Sequence, residues 1–310
     1  MFADDLKRYG PEAASAHVPT LDESRRHCRR LAARHYENFT VVSRLLLPRL
    51  LWQHVANIYA YCRWADDLAD ETGDPQQALA LLAWWETQLT ECYAGRAVHP
   101  VFVALRETIA QFQIPADPFR DLLDAFRQDQ RVTRYETSDD VLDYCRRSAN
   151  PVGRLVLHLG RCHTEDRTPL ADAICTGLQL ANFCQDVAND LDRGRIYLPR
   201  TACRRFGYGD DHFRRRQCNE AFRQLLAAQV DEAEIWLRAG TPLAAMMPKG
   251  LRLPVALFAA GGMAILQAIR RQRYDVWSKR PTVSKLCKLR LAAGCWWRLP
   301  AGHASSSCPA

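Results

Sequence analysis

Apolar residues recur along this chain at spacings of three and four, and almost nowhere in strict alternation, so the pattern predicts helices nearly throughout. The clearest stretches are 48–70, 76–93, 138–147, 151–161, 169–191, 215–239 and 254–273. Residues 22–36 read as a further helix, dense in Arg and His around Leu31, Ala32 and Ala33. Breakers stand between these stretches: Gly73-Asp74-Pro75, then Pro100, Pro115 and Pro118, then Ser148-Ala149-Asn150-Pro151. Gly261-Gly262 is expected to interrupt the helix over 254–273, Arg280-Pro281 ends the regular pattern, and a last helix is expected from Ser284. No period-two run is long enough for a substantial sheet. The expectation is an all-α fold. One domain spans residues 1–285, and a basic, tryptophan-containing tail over 286–310 is expected to be partly disordered.

Composition adds a few bounds. The chain has 310 residues with 48% hydrophobic content, enough for a sizeable core, and 25% charged residues, which argues against a disordered chain. No run approaches the roughly 18 apolar residues of a membrane span. The opening Met1-Phe2-Ala3-Asp4-Asp5-Leu6-Lys7-Arg8 lacks the apolar core of a secretory signal, so a cytoplasmic location is expected. Twelve cysteines form no CxxC pair and no zinc-type cluster; they read as small buried thiols in a reducing compartment.

Charge is segregated. The net charge is +7, yet Arg270 to Arg298 holds nine basic residues against Asp275 alone. Leu286, Leu289, Leu291, Trp296 and Trp297 are interleaved with them. Such a segment suits either an anionic membrane surface, with the protein peripheral at the inner face, or a solvated last helix. Nothing accompanies the charge that would read nucleic acid.

Candidate chemistry lies in two acid-rich stretches. In the first, Tyr59, Arg63, Asp66 and Asp70 are spaced four, three and four, and at 3.6 residues per turn they fall within an arc of roughly 60°. In the second, Gln179, Asn182, Asp186 and Asp190 repeat the device. One pair of aspartates four apart is more often a solvated helix face. Two pairs, each preceded on its face by Arg, Tyr or amides and set in apolar surroundings, need neutralising, because burying unpaired carboxylates costs several kcal/mol. Two such faces turned toward each other would make a cage of oxygen ligands suited to Mg²⁺ and a diphosphate. Arg193 and Arg195 follow the second stretch and could grip diphosphate oxygens.

These pieces resemble the squalene/phytoene synthase family, the head-to-head prenyl diphosphate synthases. The resemblance rests on Tyr59-x-x-x-Arg63-x-x-Asp66-Asp67-x-x-Asp70-Glu71, on Gln179-x-x-Asn182-x-x-x-Asp186-x-x-x-Asp190, and on Arg195-Ile196-Tyr197-Leu198-Pro199, and covers roughly residues 22–285. It implies a helical prenyltransferase fold around a central cavity, with Asp66, Asp70, Asp186 and Asp190 binding Mg²⁺-diphosphate. It also implies that Tyr59, Arg63, Gln179 and Asn182 touch the diphosphate or shape its pocket, and that Tyr144 lines the cavity near the cation. Phe39, Trp64, Phe126, Tyr144 and Phe183 are candidate rings for cation–π contact, each about 0.5–2 kcal/mol, although such a ring is more often plain core.

Within the family, Glu37 to Pro48 and Ser148 to Arg154 resemble hydroxysqualene synthases of hopanoid biosynthesis. That branch commonly has tryptophan where Cys184 stands, a departure expected to reshape the cavity wall. The substrate implied is presqualene diphosphate, with water trapping the rearranged cation. No nicotinamide site is suggested, since no GxGxxG follows a strand. The alternatives are condensation of two prenyl diphosphates to presqualene diphosphate, squalene or phytoene, a terpene cyclase or chain-elongating synthase, and a non-catalytic scaffold. Intact motif aspartates speak against the scaffold, and the plain DxxxD second motif against the cyclase.

Overall fold

The computed structural model describes residues 2–13, 18–34 and 47–298. Phe39 and most of Glu37 to Pro48 therefore lie outside the described residues. The N-terminal half runs α1 (Phe2–Tyr9), α2 (Leu21–Arg34), α3 (Arg49–Asp70), α4 (Pro75–Tyr93), α5 (Pro100–Phe112), α6 (Asp117–Asp129), α7 (Ser138–Ser148) and α8 (Asn150–Leu159). The C-terminal half runs α9 (Thr168–Gln185), α10 (Val187–Asp192), α11 (Arg200–Arg205), α12 (Asp210–Arg214), α13 (Glu220–Gly240), α14 (Leu243–Met246), α15 (Lys249–Arg271) and α16 (Lys285–Arg298). Among the described residues the only β pairing is an isolated parallel bridge between Arg134 and Ile196.

Side-chain caps start several of these helices. The Asp74 carboxylate accepts from the Gln76 and Gln77 amides, with Pro75 at the first helical position of α4. Thr137 and Asp140 cap α7 reciprocally, and Asn219 Oδ1 accepts from the Phe222 amide at 2.9 Å to open α13. The opening of α13 leaves residues 215–219, predicted as helix, outside it.

Two main apolar cores flank the middle of the molecule. One gathers α2, α3, α4, α5, α6 and α8 around Tyr61, Trp64, Trp85 and Phe102. The other gathers α7, α9, α13 and α15 around Phe183, Phe222 and Leu266. The middle of the second is α9, which packs against α7, α8, α13 and α15. Its approach to α13 needs two glycines. A Cβ on Gly177 would stand 2.7 Å from the Leu237 backbone nitrogen, and one on Gly240 would stand 2.5 Å from Ile174 Cγ1. Because α9 carries the second acidic motif, these glycines also set where that motif lies.

Three sequence expectations are corrected, and one open choice is decided. Residues 169–191 are two helices, broken at Asp186 (φ −105°, ψ 16°). Gly261 and Gly262 do not interrupt α15, which runs unbroken through both and through Pro254. That same helix is long and apolar enough by composition to cross a membrane; it packs against α9, α13, α14 and α16. Trp64 is core: it is stacked on Trp85 at 5.3 Å and met edge-on by His99 at 4.6 Å.

The described cysteines are all free thiols, and burial pushes those of Cys28, Cys62, Cys145 and Cys175 up to about 12.

Candidate active site

The C-terminal turns of α3 deliver the first motif. The Arg63 guanidinium donates to Asp66 at 3.0 Å and to Asp67, and lies 3.8 Å from Glu71. Burial is the main influence on Asp67, raising its carboxyl to about 7 against the pull of Arg63. The Asp66 carboxyl is also raised, again chiefly by burial. Tyr59 sits one turn earlier, half-buried, with its hydroxyl pushed up by burial.

Asp70 joins the two halves. It accepts from Arg195 at 3.2 Å and lies 3.6 Å from Arg193. Both arginines come from the turn after α10, where Gly194 takes a left-handed conformation (φ +75°) that a side chain would strain. The Ile196 amide donates to the Thr133 carbonyl at 2.9 Å, which pins this turn beside the end of α6. Asp66, Asp67, Asp70, Gln130, Arg193 and Arg195 are among the residues lining a cleft of about 430 Å³.

The second motif keeps its spacing through the break. The Asp190 amide donates to the Asp186 carbonyl at 2.8 Å, so the two carboxylates remain one turn apart. Asp186 accepts from Asn189 at 3.2 Å and from Arg280 through both Nε and Nη2, the latter at 2.8 Å. Gln185 fastens the same strap by donating to the Pro281 carbonyl at 2.5 Å. Asp190 has no such partner: Oδ2 is buried without a hydrogen bond, and burial, with Asp186 adding to it, raises the carboxyl to about 7. Asn182 is exposed and Gln179 half-buried on the preceding turns.

An aromatic wall stands behind these charges. Phe183 stacks on Tyr197 at 3.9 Å with planes 8° apart, and Tyr144 approaches both at 6.2 and 5.6 Å. The Tyr144 hydroxyl donates to Asp129 at 2.7 Å, and Tyr197 reaches the same carboxylate at 3.5 Å. Burial is the largest influence on Asp129 and lifts its carboxyl to about 6. Phe126 is half-buried against the first core. Cys184 is fully buried in the same core as Phe183 and Tyr144.

The four motif aspartates do not form the expected cage of carboxylates. Among the described residues no three His, Cys, Asp or Glu side chains converge as a metal site. Guanidinium groups hold Asp66, Asp70 and Asp186 instead. The donor set nevertheless suits a hard cation: all oxygen, two carboxylates from each motif, and one buried orphan at Asp190 Oδ2. Two charged groups had not been singled out from the sequence. Asp129 lies at an ordinary helix end, and Arg280 is 94 residues from Asp186 along the chain. Tyr197 lay within a quoted motif but had no role assigned.

The squalene/phytoene synthase profile matches residues 15–287. The chain belongs to the squalene/phytoene synthase family. Members of this family process prenyl diphosphates with divalent metal, and the all-α architecture is theirs. The 15-cis-phytoene synthase of Synechococcus elongatus is 31% identical over 297 residues, covering 91% of this chain and 96% of that one. Among solved structures, squalene synthase HpnC from Alicyclobacillus acidocaldarius is 45% identical with a TM-score of 0.78, covering 82% of this chain and 95% of that one. A dehydrosqualene synthase in complex with ligand is 26% identical with a TM-score of 0.80, covering 89% and 96%. For a squalene/phytoene synthase, the acidic motifs and their arginines are the features to which the reaction must be fitted.

Proposed function

We propose that this enzyme is a hydroxysqualene synthase: presqualene diphosphate ionises, the cation rearranges, and water captures it, giving hydroxysqualene and inorganic diphosphate. The observation that carries the squalene branch over the phytoene branch is the 45% identity to squalene synthase HpnC, against 31% to the Synechococcus phytoene synthase. The residues Ser148 to Arg154 lean the same way.

Asp66 and Asp70 on α3, with Asp186 and Asp190 at the α9–α10 break, would hold Mg²⁺. When bound, it neutralises the diphosphate as the carbon–oxygen bond breaks. Arg193 and Arg195 exchange Asp70 for the diphosphate oxygens, where planar guanidinium groups bind two oxygens at once. Gln179 and Asn182 lie on the face that leads to Asp186 and orient the same group. Phe183, Tyr197 and Tyr144 offer ring faces to the cation, and the Asp129 charge behind them favours its positive sign. Water rather than hydride ends the reaction, so no NADPH is needed. We place the protein in the cytoplasm, peripheral to the inner face of the membrane.

The test is a product assay with Mg²⁺ and no reductant. Hydroxysqualene from presqualene diphosphate supports the reading. The phytoene synthase relatives favour one second reading, condensation of two prenyl diphosphates. Phytoene from geranylgeranyl diphosphate, with presqualene diphosphate untouched, would replace the first reading by that one.

A further inference from the structure

The last helix turns its apolar side outward. At 100° per residue, Leu289, Trp296, Leu286 and Trp297 of α16 fall on one contiguous face, with Lys285 and Arg290 at its two edges. All six are exposed, and Trp296 and Trp297 retain 66% and 79% of their accessible surface. Of the eleven exposed large hydrophobic side chains among the described residues, four lie here, so the clustering is local to this helix. The opposite side, with Cys287, Leu291 and Cys295, is half-buried, and the helix packs on α15.

We propose that this face of α16 docks on an anionic lipid bilayer, with Leu286, Leu289, Trp296 and Trp297 in the interfacial layer and Lys285 and Arg290 on the headgroups. Charge selects this occupant. The stretch from Arg270 to Arg298 carries nine cations against one acid, so a second copy of the same helix would meet like charge. Tryptophan and leucine between basic residues is the composition of a helix lying in the membrane interface. The position of the helix adds a consequence. Arg280 grips Asp186 and Gln185 holds Pro281, so α16 begins five residues from a clamp on the second acidic motif. Five residues reach at most about 17 Å, which keeps the docked face beside the site.

This inference deepens the peripheral placement proposed above and rests on it; it does not depend on which product forms. The test is flotation of the full-length protein with phosphatidylcholine vesicles, with and without phosphatidylglycerol, over a salt series. Brominated lipids report insertion by quenching tryptophan. Wild type should float with anionic vesicles, less so at high salt. The double variant W296S/W297S should lose at least tenfold in vesicle affinity together with the quenching. The double variant K285Q/R290Q should lose about twenty-fivefold on anionic vesicles, at about fivefold per charge, and little on neutral ones. Unchanged circular dichroism and an unchanged thermal shift with Mg²⁺ and inorganic diphosphate would show that both variants fold. Wild type that floats with neither vesicle overturns the peripheral placement itself. Variants that float like wild type leave the placement standing and overturn the role of α16. Concentration-dependent dimers that the tryptophan variant abolishes, without vesicle binding, would assign the face to a second copy instead.

Discussion

Replacing Asp129 by asparagine should stabilise this protein and impair it at once. The carboxyl ordinarily titrates near 3.8, and burial in the folded chain lifts it to about 6, net of the Tyr144 and Tyr197 hydroxyls and the nearby Arg195. A raised carboxyl means that the folded state holds a proton that the unfolded chain has already released. Stability therefore falls as pH rises from about 4 to about 6, and the whole penalty is present above that window. About two units at about 1.4 kcal/mol each give a ceiling of about 3 kcal/mol. The carboxylate is only half-buried by accessible surface, so screening brings the expectation to about 1–3 kcal/mol.

Asp129→Asn has nearly the same shape, still offers a carbonyl oxygen to Tyr144, and never ionises. At pH 8 its melting midpoint should exceed that of wild type by roughly 2–6 °C. At pH 4.5, where the unfolded carboxyl is already largely ionised, about a third of that difference should remain. Other carboxylates titrate in both proteins and cancel in the difference. Turnover should fall at least tenfold, because the wall behind the cation has lost its negative charge. The assay is thermal unfolding of both proteins from pH 4.5 to 8, with product formation measured on the same preparations. A stability difference that does not change with pH would refute the argument, as would a variant less stable than wild type at pH 8.

The remaining predictions concern the clamps and the helix crossing. Arg280→Ala leaves the buried Asp186 with Asn189 alone and should lower unfolding free energy by about 1–3 kcal/mol in denaturant titrations, with weaker diphosphate binding. Asp190→Asn removes a buried carboxylate that lacks a partner at Oδ2, so the fold should persist while the thermal shift given by Mg²⁺ with diphosphate is lost. Gly177→Ala should cost about 1–3 kcal/mol, because its Cβ would meet the Leu237 backbone at 2.7 Å. Gly261→Ala, where nothing lies within 4 Å, should instead stabilise by up to about 1 kcal/mol; equal effects at the two glycines would undo the packing argument. Mg²⁺ and diphosphate should bind cooperatively in calorimetry, each raising the affinity of the other at least tenfold, and independent binding would contradict the exchange of partners proposed for Arg193 and Arg195.

The polar stripe on α3 was legible because spacing alone puts Tyr59, Arg63, Asp66 and Asp70 on one face of an unbroken helix. The same arithmetic puts Trp64 about 140° from Tyr59, so its place in the core was also within reach of the sequence. The break at Asp186 was not. No Gly or Pro marks it, and the bond from the Asp190 amide to the Asp186 carbonyl preserves the four-residue spacing across it. Arg280 and Asp129 were hidden for another reason. Their roles depend on partners 94 and 15 residues away, and neither contact leaves a periodic trace.

Those distant contacts explain how a site rich in carboxylates folds before its ligands arrive. Asp66 leans on Arg63, Asp70 on Arg193 and Arg195, and Asp186 on Arg280. Three of the four motif aspartates thus have a cation that the chain itself supplies, while Asp190 Oδ2 remains unpaired. An arginine released from a carboxylate by a metal ion is immediately useful to the incoming diphosphate, since the metal takes over the acid and the guanidinium takes the anion. Fixed cations bound permanently to the aspartates would block the metal, and aspartates with no cations would resist burial. Arg193, Arg195 and Arg280 reconcile the two demands because their positions, on a turn after α10 and on a strap before α16, lie outside the helices that carry the acids, whereas Arg63 shares α3 with Asp66.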